Sequence, residues 1–150
     1  MTLLREIPLL PVSVPGDATF LEAARLLLDA HTSAVAVVAP DGRVIGMFTD
    51  DDLLRGLFPR YLDELHHTAF LADRDEVLQA SLQAAADEPC SRYMRQAETV
   101  DLNAGAAHVV ERFLHTPWGA LAVVEGGRFV GMVGQIEFTE LLMDRLDGPQ

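Results

Sequence analysis

With 150 residues, 49% of them hydrophobic, the chain holds enough apolar material for one compact domain or two lobes sharing a core. Twenty-three acids against eleven arginines give a formal charge of −12, a surface that nucleic acid and anionic membranes repel. There is no lysine, which removes Walker-A, Schiff-base and Ser-x-x-Lys chemistry, and no apolar run approaches the ~18 residues of a membrane span.

Pro8, Pro11 and Pro15 break the N-terminal Leu9-Leu10 stretch, so no signal-peptide core forms there. Val12-Ser13-Val14 reads as a short extended piece closed by the turn residues Pro15-Gly16-Asp17. Thr19-Phe-Leu-Glu22 matches a capping box and opens a helix that runs to about His31. Ala23, Ala24, Leu27 and Leu28 form its apolar stripe. Ala34 to Val38 is apolar at every position, the pattern of a strand covered on both faces. Pro40-Asp41-Gly42 turns the chain, Val44 to Thr49 returns, and a second helix begins near Asp50. Three successive acids there suit the positive end of a helix dipole.

The stretch from about Pro59 to Met94 is longer than a simple connection. Within it Val77, Leu78, Leu82 and Ala85 fall at helical spacing, predicting an amphipathic helix that packs on the lobes or on a partner. The earlier order then returns: Glu98-Thr99-Val100 extended, Asn103 to His115 helical, Ala120 to Val124 a buried strand. Gly126-Gly127 turns, Phe129 to Val133 pairs back, and Ile136 to about Leu146 closes the chain as a helix.

The two halves also repeat in sequence. Ser33-Ala-Val-Ala-Val-Val38 returns as Gly119-Ala-Leu-Ala-Val-Val124, and Val44-Ile-Gly-Met47 returns as Phe129-Val-Gly-Met132, with one residue lost in the second hairpin. Two copies are too few for a solenoid, so they predict a two-lobed domain about a pseudo-twofold axis, with two related sites in its cleft.

Other chemistries find little support. Cys90 stands alone, which excludes an internal disulfide, fits a reducing cytosol and reads as a small semi-buried apolar residue. His66 and His67 are adjacent and diverge by ~100° on a helix, while His108 and His115 lie two turns apart, too far for one tetrahedral ion. None of Ser13, Ser33, Ser81 and Ser91 stands in a nucleophile elbow, and Gly126, Gly127 and Gly131 form no dinucleotide-binding motif. No acid-base pair emerges, so an enzyme is not expected. Trp118, just before the second buried strand, reads as core packing, with a plug for the second site or a dimer seam as alternatives.

The run Gly46-Met47-Phe48-Thr49-Asp50-Asp51-Asp52, after a small-residue strand and a turn, resembles the cystathionine-β-synthase (CBS) domain. Glu88-Pro-Cys-Ser-Arg-Tyr-Met94 resembles the segment that introduces such a repeat. Both copies together, from about Val12 to Leu146, resemble a Bateman module, with repeats at 1–58 and 90–150 and a helical linker at 59–89. The resemblance implies an α+β fold, two β-α-β-β-α units packed about a pseudo-twofold axis. It implies binding of an adenosine-containing ligand (AMP, ADP, ATP or S-adenosylmethionine) in the cleft between repeats, with no obligatory cofactor. Carried over, Thr49 and Asp52 meet the ribose and the phosphate end, and Val14, Val35 and Ala36 line the adenine slot. Ser13 assists at the first strand, and Arg55 reaches a phosphate. A weaker second site comprises Thr99, Val100, Leu121, Ala122 and Glu137, where Gly134 and Glu137 replace the threonine and aspartate of the motif.

The acids at Asp50 to Asp52 oppose a triphosphate unless Mg²⁺ or arginine neutralises it, which ranks adenosine, AMP or S-adenosylmethionine above free ATP. The same acids, and Thr49, also have a plain reading as helix caps. The expected protein is a free-standing cytoplasmic homodimer that senses its ligand and signals to an effector protein of unknown identity. Its dimer surface is expected to carry Leu53, Leu57, Phe58, Phe138, Leu141 and Leu142. The alternative is a ligand-free structural or oligomerisation module of the same fold.

Overall fold

The computed structural model describes residues 2–57 and 74–148. Phe58, His66 and His67, singled out above, lie outside the described residues.

The local signals produce the elements they predict. Thr19 accepts the Glu22 N–H at 3.1 Å and starts α1 (Phe20–Asp29). β1 (Ser13–Val14) runs parallel to β2 (Ala34–Val38), which pairs antiparallel with β3 (Val44–Thr49). Helix α2 follows over 50–57, and α3 (Arg74–Ala86) leads to the second copy. There β4 (Thr99–Asp101), α4 (Ala106–Leu114), β5 (Ala120–Glu125), β6 (Arg128–Gly134) and α5 (Gln135–Asp147) repeat the order and the pairing. Gly126 and Gly127 turn the hairpin at φ values of 59° and 79°, which a side chain would resist. α4 starts three residues later than the sequence predicts, because the Asp101 carboxylate accepts the Asn103 N–H at 2.8 Å and holds a turn there.

Strand alternation sorts the apolar residues into three layers. Val35, Val37 and Phe48 face α1, where Phe20, Ala23 and Leu27 complete the core of lobe one. Leu121, Val123 and Val133 do the same in lobe two with Val109, Phe113 and Phe138. The opposite strand faces meet each other: Ala34, Ala36 and Met47 pack on Ala120, Ala122 and Met132. The small residues repeated in both copies let the two sheets approach closely. Leu28, expected in the stripe of α1, is 62% exposed, since the stripe is narrower than the spacing suggested.

The lobes also exchange their leading segments. Leu3 and Leu4, in a 3₁₀ turn over Leu3–Glu6, are buried in the core of lobe two. Cys90, in the turn Cys90–Arg92, is buried in the core of lobe one. Leu10 and Met132 exchange both backbone hydrogen bonds, and Arg95 and Met47 do the same in the other half. Each crossing runs over a glycine. A Cβ on Gly131 would stand 2.5 Å from that of Leu9, and one on Gly46 would meet Met94.

Two expectations about surfaces need correction. α3 docks on lobe one through Ser81 and Ala85, while Leu78 and Leu82 are exposed. Of the proposed dimer surface, Leu57 and Phe138 are buried in the lobe cores, and Leu53, Leu141 and Leu142 pack against them. The apolar stripes of α2 and α5 turn inward onto their own sheets, as amphipathic helices must. What those helices expose is Leu54, Ile136, Met143 and Leu146. A groove of about 720 Å³ runs from Trp118 along Ile136 and Met143. Among the described residues, no helix is long and apolar enough to cross a membrane.

Candidate functional site: two related motifs at the pseudo-axis

Thr49 ends β3 and caps α2. Its hydroxyl accepts the Asp52 N–H at 3.1 Å and donates to Asp52 Oδ2 at 2.9 Å, and its own N–H donates to the same oxygen at 2.9 Å. This is a reciprocal capping box with an aspartate in the third position. Both residues are buried, so the carboxylate needs a countercharge. Arg95 supplies it from the leader of lobe two. Arg95 Nε donates to both Asp52 oxygens at 3.1 Å, and Nη2 donates to Oδ1 at 2.8 Å.

The Arg95 guanidinium also lies over the Trp118 ring, 4.7 Å from its centroid. Hydrogen bonding to Asp52 pushes the Arg95 pKa up against the opposing effect of burial, and the nearby charges of Asp51 and Asp50 add to it. Ser33 Oγ donates to the Trp118 carbonyl across the pseudo-axis, and the Trp118 Nε1–H is buried without a partner among the described residues. Stacking and packing therefore set the ring's place.

The copy-two half differs at each of these positions. Gly134 stands for Thr49, Glu137 for Asp52, Leu10 for Arg95 and Thr32 for Trp118. With neither a guanidinium nor an indole there, a cavity of about 440 Å³ opens between the lobes. Ile7, Leu10, Thr32, Met132, Gln135 and Glu137 line it, among others. A Cβ on Gly134 would run into the Glu137 carboxylate, so the lost threonine and the longer acid belong together. No arginine is among the described residues lining this cavity.

The residues singled out in the sequence fall as follows. Thr49 and Asp52 meet, while Arg55 lies exposed on α2 outside their network. Val14 and Val35 point into the core of lobe one, Val100 and Leu121 into that of lobe two, and Ala36 and Ala122 into the shared layer. Ser13 is exposed on β1, and Thr99 on β4 pairs with Ala122 of β5. Glu137 borders the cavity. No local pattern in the sequence couples Arg95 or Trp118 to Asp52, or Leu10 and Thr32 to Glu137. Aligning the leaders by their crossings over Gly46 and Gly131 would have paired them. No group of three or more His, Cys, Asp or Glu among the described residues is placed to hold a metal ion.

The CBS domain family matches this chain twice, over residues 4–58 and 90–144. The chain belongs to that family. Each matched segment spans one lobe's strands and helices together with the leader that crosses onto the other lobe. No curated protein matches the sequence. Among solved structures, the CBS-pair protein CBSX2 from Arabidopsis thaliana is similar at TM-score 0.74 and 15% identity, covering 99% of this chain and 98% of that one. CBSX2 has also been solved in complex with AMP, and that structure matches at TM-score 0.68 and 17% identity over 97% and 98% of the two chains. A CBS domain-containing protein from Bacillus anthracis str. Ames Ancestor matches at TM-score 0.73 and 16% identity over 97% and 94%. At these identities the likeness bears on the fold alone.

Proposed function

We propose that this CBS pair is a regulatory module that binds an adenosine-containing ligand between its repeats and acts through contacts with other proteins. The observation that carries the reading is the cavity of about 440 Å³ beside Glu137. Its carboxylate is suited to accept from both hydroxyls of a ribose, and Met132, Leu10 and Ile7 offer apolar surface to a base. CBSX2, of the same fold, has been solved with AMP. With a carboxylate and no lining arginine among the described residues, the cavity favours adenosine, AMP or S-adenosylmethionine over ATP, which would need Mg²⁺. Regulation then requires that the ligand prefer one arrangement of the module over another. No catalytic role is part of this reading.

We further propose that the module works in the cytoplasm as a homodimer, pairing through Ile136, Met143 and Leu146 on α5 and Leu54 on α2. Titration calorimetry with AMP, ATP, Mg²⁺-ATP and S-adenosylmethionine tests the ligand class. AMP or S-adenosylmethionine should bind more tightly than free ATP, and the reverse order would refute the ranking. A second reading, a ligand-free structural module, is favoured by the Arg95–Asp52 pair, which already satisfies the motif carboxylate of copy one. Silence across that panel would favour it.

A further inference from the structure

Arg95 and Leu10 hold equivalent places in the two halves, since each exchanges paired backbone hydrogen bonds with the methionine of the facing hairpin. Trp118 before β5 and Thr32 before β2 also correspond. In the copy-two half this frame surrounds a cavity of about 440 Å³ with Glu137 at its edge. In the copy-one half the same frame holds a guanidinium, stacked on Trp118 and forked onto Asp52. We infer that Arg95 is a tethered occupant of the copy-one site and limits the chain to one ligand, bound beside Glu137. The limit of one ligand rests on the ligand-binding reading above; the occupancy does not.

The chemistry of the slot suits this occupant. A flat, delocalised cation stacks on an aromatic face while its N–H fork meets a carboxylate. In this slot a nucleoside would compete for the same two groups, its base for the ring and its ribose for the carboxylate. Entry would require breaking three charge-assisted hydrogen bonds and leaving the guanidinium without its partner. A guanidinium is charged at any working pH, so the plug keeps its charge.

Calorimetric titration of the whole chain with AMP, wild type against Arg95→Ala, tests the inference. One AMP per chain in the wild type and two in the variant is the expected result. Two in the wild type, or one in a folded variant, would overturn it. The chain has a single tryptophan, so Trp118 fluorescence reads the slot without any nucleotide. Methylguanidinium should change that emission saturably in Arg95→Ala, leave the wild type unchanged, and lose its effect when Asp52→Asn is added. No saturable change in Arg95→Ala would overturn the occupancy. If neither protein takes AMP or S-adenosylmethionine, the ligand reading and the limit of one both fall, and the methylguanidinium titration alone decides the occupancy. Should Arg95→Ala not fold, Arg95→Leu copies Leu10 of the other half and keeps the Trp118 ring. Two sites in that variant support the inference, and one overturns it.

Discussion

Arg95 grips both carboxylate oxygens of Asp52 from 43 residues along the chain, and so ties the leader of lobe two to the first helix turn after β3 of lobe one. The pair acts as a cross-brace between repeats. Asp52 is buried, so truncating its partner leaves a charge without compensation.

Arg95→Ala should therefore lower the unfolding free energy by about 2 kcal/mol, below the usual cost of breaking a fully buried pair because Arg95 is partly exposed. Arg95→Met combined with Asp52→Asn should cost less, since no charge is then left without a partner. Urea unfolding of the three proteins checks the order. Equal losses would mean that the ion pair is not what braces the lobes.

The crossings over glycine predict a ranking. At Gly131 an added methyl meets the Leu9 Cβ, which cannot move without its backbone. At Gly46 it meets the flexible end of Met94 first. Gly131→Ala should cost about 2 to 3 kcal/mol and Gly46→Ala about 1 kcal/mol, as overpacked sites do. The reverse order in thermal unfolding would show that the leaders do not cross as described.

Burial pushes the Cys90 thiol pKa up, with the nearby charges of Asp17 and Glu22 adding to it and a backbone hydrogen bond opposing. The folded state thus holds this proton to higher pH than the unfolded state does. Its effect on stability is nil well below the ordinary thiol value of about 8.5 and becomes a loss as pH rises through it. Stability should fall between pH 8 and 10 more steeply in the wild type than in Cys90→Ala, and alkylation of the folded protein at pH 8 should be slow. Rapid alkylation under native conditions would contradict the burial.

Most of the fold was legible because its signals are local. The capping box at Thr19, the doubly covered strands and the Gly126-Gly127 turn each act within a few residues. The site was less legible because its deciding contacts are long-range. Arg95 sits in a leader with no pattern of its own, and its meaning comes only from the strand it crosses. The motif at Thr49 and Asp52 was recognised, while the replacement at Gly134 and Glu137 read as a weakening. In the folded chain the first is engaged by Arg95 and the second borders the cavity. The inward faces of α2 and α5 misled for a similar reason, since periodicity identifies a stripe without saying what it meets.

The exposed face of α5 carries the proposed dimer. Ile136 is 70% exposed and Met143 48% exposed, and both line the groove of about 720 Å³. Met143→Asp should convert a dimer to a monomer at micromolar concentration with the fold retained, read by light scattering and circular dichroism. A wild type that is already monomeric would remove the proposal.

The most direct test of the central claim is a thermal shift with AMP across wild type, Glu137→Gln and Asp52→Asn. A ligand at 100 times its dissociation constant stabilises a fold by about 2.7 kcal/mol, which is readily measured. The expected result is a shift in wild type that Glu137→Gln abolishes, while Asp52→Asn lowers the starting stability and keeps the shift. A shift that survives Glu137→Gln and vanishes in Asp52→Asn would contradict it.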